Sequence, residues 1–361
     1  MILKRLDTYI IKKFLGTFFY AIALIIIIVI IFDISEKIDD FIEKGAPLFD
    51  IIFKYYLNFI PYFANLFSPL FTFIAVIYFT SQMASRTEIV AILSSGISFK
   101  RMLRPYFISA IFLALLSFML SNFIIPIANE KRLEFEMMYI RNATQSKEMD
   151  IHMQIKPGIF VYAEHFNVDA GLAIHFSIEK IKDKKDLVYK LTSDNAQYDS
   201  TRRLWKIRNY FVRTINGTKE TIKNGTELDT VLGLKPADFM ENLHNMETMN
   251  WFRLNEFIDE EKLKGTDNLS YYQVEKQKRI AFPFATVVLT LIGVSLSSRK
   301  VRGGIGLHLG IGLTLSFAFI LFMQITTTFA TAGSLPAVVA VWIPNLIFGA
   351  LGLYLLRIAP K

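Results

Sequence analysis

The sequence predicts a membrane α-helical protein, with six transmembrane helices and a β-rich domain inserted after the third. Three observations predict it. Of the 361 residues 53% are hydrophobic and only 20% charged, where a soluble domain carries about a quarter charged residues. Long charge-free runs recur, and the segments between them alternate between basic and acidic. One stretch, residues 130–279, breaks this pattern with the composition of a soluble protein. Net charge is +8, but the basic residues do not form one soluble patch, so no nucleic-acid partner is expected. The absence of cysteine removes disulfides and thiolate chemistry.

The first run, Phe14 to Phe32, is long enough at about 1.5 Å per residue to cross the hydrocarbon layer. No small-residue cleavage site follows it, so it reads as a retained helix rather than a signal peptide. The runs Tyr55–Ser85, Pro105–Asn129 and Ile280–Ser298 are the next three spans. Gly303 to Leu356 is too long for one helix and is broken at Gly333-Ser334-Leu335-Pro336, a turn signal between spans five and six.

Charge orients the spans. Residues 1–13, residues 86–104, the link after span four (Arg299, Lys300, Arg302) and the end of the chain (Arg357, Lys361) together hold 13 basic and 2 acidic residues. Residues 33–54 hold three basic and six acidic. The positive-inside rule therefore places both termini in the cytoplasm, and parity places the insert outside it. In the insert basic and acidic residues nearly balance. Short apolar runs (159–162, 173–178, 186–189, 204–207) alternate with turn signals at Pro157-Gly158, Asp183–Lys185, Asp199–Thr201, Asn216-Gly217 and Asn224-Gly225. This spacing suggests a sandwich or jelly roll, and residues 251–264 read as helix.

Catalytic signatures are absent. There is no P-loop and no nucleophile elbow, and His152, His165, His175, His244 and His308 lack metal-ligand spacing. No catalytic residue, metal or cofactor is expected. Gly303-Gly304-Ile305-Gly306 opens a membrane helix, so close helix packing explains it better than phosphate binding. The interior of the last four spans holds no charged residue, which argues against an ion-coupled carrier. Asn58, Asn65, Gln324 and Asn345 read as helix bridges, or as partners for backbone opened by Pro61, Pro69 and Pro344.

The link after span two is the most informative stretch. Ser85-Arg86-Thr87-Glu88 fits a capping box, with Ser85 as N-cap and Glu88 at N3. Ile89, Ile92 and Leu93 follow as one apolar face, and Gly96 is placed to end the helix. Such a short amphipathic helix suits docking into a soluble partner, and equally suits lying on the membrane surface.

These residues resemble a family. The six-span layout with its insert is similar to the LptF/LptG (YjgP/YjgQ) permeases of the lipopolysaccharide export ABC transporter. Leu6-Asp7-Thr8-Tyr9 resembles the family's L-D-x-Y, and Arg86–Ala91 with Ser95-Gly96 its coupling helix. Arg279–Phe284 and Trp342-Ile343-Pro344-Asn345 resemble its R-x-x-x-P and W-x-P-N motifs. The resemblance implies a periplasmic β-jellyroll over residues 130–275. Spans one to three fall in 1–129, with a coupling helix at about 86–96, and spans four to six in 276–361.

It further implies a non-catalytic permease of the bacterial inner membrane. Its implied partners are a homologous permease, a cytoplasmic ABC ATPase dimer and periplasmic jellyroll bridge proteins, with lipopolysaccharide as cargo. Arg86, Glu88, Ile89, Ile92 and Leu93 would meet the ATPase. Spans one and five, around Ile22 and Phe317, would line the lipid entrance. Some family members carry lysine at the outer end of span one. Here that end reads Ile31-Phe32-Asp33-Ile34, with Lys37 and Lys44 beyond it as headgroup contacts, compatible with a less phosphorylated cargo. Two other readings stay open: a mechanotransducing ABC protein that regulates an envelope factor, and an envelope receptor or binding module.

Overall fold

The computed structural model describes residues 4–140, 148–167, 170–182, 186–200, 202–217, 219–234, 236, 245–264, 268–299, 301 and 304–359. The expected turn at Asp183–Lys185, and Lys300, Arg302 and Lys361, lie outside the described residues. Six helices are long and apolar enough to cross a membrane: α1 (Arg5–Glu43), α2 (Leu48–Ser85), α4 (Phe99–Tyr139), α6 (Leu269–Ser297), α7 (Gly304–Thr331) and α8 (Ala337–Ile358). A short helix, α3 (Glu88–Ser94), joins α2 to α4, and α5 (Trp251–Lys264) precedes α6. Two compact units result. One comprises Met1–Ile140, Glu247–Trp251 and Ser270–Lys361, the other Arg141–Met246 and Phe252–Leu269.

A spanning segment must satisfy its backbone internally, which a charge-free run achieves as a helix. At 39 residues, α1 reaches about 58 Å, well beyond a hydrocarbon layer of about 30 Å. Its polar last turns, from Asp33 on, therefore project past the apolar zone. α2 and α4 each contain a π-helical turn, Ile51–Tyr56 and Leu120–Ile124. Each lies just ahead of a proline, Pro61 or Pro126, which removes an i→i−4 hydrogen bond and widens the preceding turn.

Of the polar residues singled out in the spans, Asn58 and Asn65 bond backbone or a second helix, whereas Gln324 is exposed. Asn58 donates to the carbonyls of Phe53 and Lys54 at 3.0 and 2.8 Å. Asn65 donates to Ser121 Oγ at 2.9 Å and accepts from Ser117 Oγ at 2.7 Å, bridging α2 to α4. His308 on α7 shares a buried 2.8 Å hydrogen bond with Ser81 on α2.

The glycine-rich start of α7 needs a correction. Gly304 has φ +62°, and at Gly306 an added Cβ would meet nothing within 4 Å. Gly304 turns the chain into the helix. Close packing falls instead at Gly293, where a Cβ would lie 2.9 Å from Val76 and 3.0 Å from Phe73. The turn before α8 forms at Gly333, with φ +76° and Pro336 at the N-cap.

The insert folds as one antiparallel sheet with strands in chain order: β1 (Glu148–Lys156), β2 (Ile159–Asn167), β3 (Leu172–Lys182), β4 (Asp186–Asp199), β5 (Leu204–Asn216) and β6 (Lys219–Thr230). Turns form at Gly158 and Gly217, with φ +77° and +62°. Asn224-Gly225 is not a turn. It lies inside β6, where Gly225 pairs with Tyr210, and a Cβ there would come within 2.6–2.7 Å of the Tyr210 ring. The tyrosine covers a glycine that would otherwise weaken the strand.

A crease runs across this sheet. Buried positions follow Val161 and Ala163 but then Phe166 on β2, and Ala173 but then Phe176 and Ile178 on β3. On β4 they are Leu191 and Ser193, then Ala196. Each strand thus reverses its in–out parity. The reversal falls on Glu164, His175, Asp194 and Asn209, positions facing one another between paired residues of neighbouring strands. His175 and Asn209 have φ +48° and +50°. Their side chains are satisfied along the row, His175 by Glu164 and Asn209 by Asp194 at 2.8 Å.

Bending at this row lets both halves of each strand face one core. Phe166, Phe176, Trp205 and Ile207 meet there, and the Trp205 indole N–H donates to the Leu234 carbonyl at 3.0 Å. A two-sided core is reached by folding a single meander.

Candidate functional site

The link between α2 and α4 departs from its expected cap. Ser85 is the last residue of α2, and its hydroxyl donates back to the Gln82 carbonyl at 2.9 Å. The N-cap of α3 is Thr87, at φ +61°, a conformation that a β-branched residue adopts only against a steric cost. That sharp bend separates α2 from α3, so no S-x-x-E box can form. Glu88 instead accepts a hydrogen bond from the Tyr9 hydroxyl of α1 at 2.9 Å. Gly96 ends α3 as expected, with φ +84° and its N–H on the Leu93 carbonyl at 3.0 Å.

The apolar face of α3 turns inward. Ile89 is buried, and Ile92 and Leu93 pack half-buried on the same cluster, which includes Ile10, Phe14, Met83 and Met102. The outward face carries Val90, Ala91 and Ser94, and Arg86 stands exposed beside it at the end of α2. One buried and two half-buried aliphatic side chains hold α3 against the bundle.

A second contact joins α1 to this link. Arg101, in the first turn of α4, donates to both carboxylate oxygens of buried Asp7 at 2.6 and 2.7 Å. Asp7 also accepts the Lys4 backbone N–H at 3.0 Å. Forked geometry of this kind is both strong and directional. Sequence reasoning missed the pair, though Asp7 stands alone as an acid among the basic residues 4–13.

At the far end of α1 the polar residues are also engaged. Asp33 pairs with Lys37 at 2.6 Å and accepts from the Tyr56 hydroxyl at 3.1 Å. Lys37 donates to the Tyr55 hydroxyl and lies 4.9 Å from that ring's centre. Phe41, Tyr55, Phe59 and Phe135 pack beneath. The i,i+4 spacing of Asp33 and Lys37 was a legible signal for their pairing. Lys44 caps α1, its N–H on the Asp40 carbonyl at 3.1 Å.

α1 and α7 have the least cover from the rest of the chain, with 17% and 22% of their most apolar stretches buried. Ile27, Ile28 and Ile31 on α1, and Phe317 and Leu321 on α7, stand on the bundle surface. Ile22 does not; it is packed into the α1–α2–α4 core.

The two C-terminal motifs interlock. Asn345 of α8 donates to the Ala281 carbonyl of α6 at 3.0 Å, and Trp342 meets Phe284 with ring centres 5.1 Å apart. Arg279 donates to the Met249 carbonyl at 2.6 Å and pairs with Glu275 at 3.2 Å.

A family model described as lipopolysaccharide export system permease LptF/LptG matches residues 8–358. The chain belongs to the LptF/LptG family. Among curated proteins it is similar to the lipopolysaccharide export system permease protein LptG of Escherichia coli strain K12, 20% identical over 358 residues. That alignment covers 97% of each chain, and the same figures hold for LptG of an O6:H1 strain. In this LptF/LptG member, the stretches that carry the resemblance are those that bind one helix to another. Asp7 and Tyr9 reach the α2–α4 link, and Ala281 and Phe284 reach Asn345 and Trp342. Among the described residues no group of three or more His, Asp or Glu is placed to hold a metal.

Proposed function

We propose that this chain is a non-catalytic permease subunit of an ABC transporter in the bacterial inner membrane. It pairs with a homologous permease, extracts lipopolysaccharide and passes it through the inserted domain to periplasmic jellyroll bridge proteins. The observation that carries this reading is the family match across 8–358. The low cover of α1 and α7 supports it, because a lipid entrance or a permease partner needs apolar surface that the chain itself leaves open.

Extraction exposes acyl chains at about 0.8 kcal/mol per CH₂, so a multi-chain lipid requires an outside energy source. A cytoplasmic ATPase dimer supplies it, docked on the outward face of α3. Arg86 and Glu88 offer charge there and Val90 an apolar contact, while Ile89, Ile92 and Leu93 anchor the helix beneath. The lipid path runs along Ile27, Ile31 and Phe317. Lys37, paired with Asp33, and Lys44 at the end of α1 are the headgroup contacts.

Purification from a native membrane tests the reading. An ATPase and a second permease should copurify, and the reconstituted complex should release lipopolysaccharide to a periplasmic acceptor only with ATP. Copurification of an envelope regulator, with no ATP-dependent lipid release, would favour the mechanotransducing alternative instead.

A further inference from the structure

The N-terminal end of α1 is bonded to both sides of the α2–α4 link. Asp7, 3% exposed, holds Arg101 of α4 in a two-bond fork, and Tyr9 holds Glu88 of α3. Residues two apart on a helix point about 200° from each other, so the link grips α1 from two directions. Ile10 and Phe14 fill the space between them in one cluster with Ile89, Phe99 and Met102. From this grip α1 runs unbroken from Arg5 to Glu43 with no internal proline, unlike α2 with its π-helical turn and two prolines. A displacement at Asp7 is therefore carried along a stiff rod to Ile27 and Ile31.

We infer that Asp7, Tyr9 and Arg101 are positioning residues that lock α1 to the coupling segment, so that movement of α3 moves the lipid-facing part of span one. The inference rests on the permease reading above. Glu88 is the joint: one carboxylate oxygen takes the Tyr9 hydroxyl, and the other is left for a basic group on the ATPase. Two carboxylate oxygens can serve both partners at once.

The test uses the intact permease–ATPase complex in proteoliposomes, with ATP hydrolysis and lipopolysaccharide release measured in one sample. Tyr9→Phe removes a single hydroxyl and leaves the apolar packing whole. Asp7→Asn removes the charge, and the exchange Asp7→Arg with Arg101→Asp restores the pair in reverse. Lipid released per ATP hydrolysed should fall about two- to thirtyfold in the single variants, the range over which a coupling contact modulates its partners. ATPase retention should stay at the wild-type level, and the exchange should recover part of the loss.

A second readout is independent of transport. Since the chain has no native cysteine, spin labels at Lys12→Cys and Ser94→Cys report the α1–α3 distance directly. It should hold constant through the nucleotide cycle in the wild type and vary in Asp7→Asn. An unchanged release-per-ATP ratio in both single variants, a proportional fall of hydrolysis and release, or an α1–α3 distance that varies in the wild type would each overturn the lock. A wild-type complex that releases no lipid would instead overturn the permease reading, and the label distance would still decide the lock.

Discussion

Asn345 places its amide 3.0 Å from the carbonyl of Ala281, joining α8 to α6 through buried groups 64 residues apart in the chain. Pro283 and Pro344 interrupt the backbone bonding of these same two helices. The carbonyls that these prolines leave without a donor are those four residues earlier, Arg279 and Ala340, so the Asn345 bond to Ala281 is an added contact between the two helices. Hydrogen bonds between membrane helices contribute about 0.6 kcal/mol on average and up to about 1.7. Asn345→Ala should therefore lower the thermal midpoint of the detergent-solubilised protein, by an amount matching a loss of about 1 kcal/mol. A midpoint equal to the wild type would mean that the bond contributes nothing.

Asp33 sits among Lys37, Tyr55 and Tyr56. Replacing it by alanine leaves a lysine and two hydroxyls short of an acceptor in a half-buried site, at a cost of about 1–3 kcal/mol. The double variant Asp33→Leu with Lys37→Met removes both charges and should recover most of that loss, since paired replacement by apolar residues is often neutral. Melting curves of the wild type, the single variant and the double variant read this directly; equal midpoints for the two variants would contradict an ion-pair role.

The crease in the inserted sheet depends on residues able to adopt positive φ. Asn209 tolerates φ +50° and bonds Asp194. Asn209→Val places a β-branched side chain in that conformation, at about 1–3 kcal/mol. Asn209→Gly removes the steric cost and keeps the bend. Limited proteolysis should cut the valine variant faster within residues 148–230 and leave the glycine variant near wild type. Equal resistance in the two variants would mean that the bend places no demand on the backbone.

Orientation can be read chemically. The positive-inside rule predicts Ser98 in the cytoplasm and Asn216, at the β5–β6 hairpin, outside it. A cysteine at Asn216 should react with an impermeant maleimide in cells whose outer membrane has been permeabilised, and one at Ser98 should not. Reversed labelling would invert the topology and withdraw the permease reading with it.

Much of this architecture is written locally. A charge-free run longer than the hydrocarbon thickness has one good solution, so the six spans were legible from length and composition alone. The hairpin turns at Gly158 and Gly217 and the end of α3 at Gly96 were legible too, because tolerance of a positive φ is a property of glycine itself. Contacts between distant segments were not. Asp7 and Arg101 lie 94 residues apart, Tyr9 and Glu88 79 apart, and no local spacing links them.

Where a local signal met a tertiary one, the tertiary one prevailed. Ser85 and Glu88 spelled a capping box, but the bend at Thr87 and the hydroxyl of Tyr9 took Glu88 elsewhere. Asn224-Gly225 spelled a turn, but the Tyr210 ring held it in a strand. Ile89, Ile92 and Leu93 formed the expected apolar face, and only the packed bundle decided that it points inward. Periodicity defines which residues share a face. The direction of that face depends on which neighbour removes more apolar surface from water or lipid, and that neighbour is set by the whole fold.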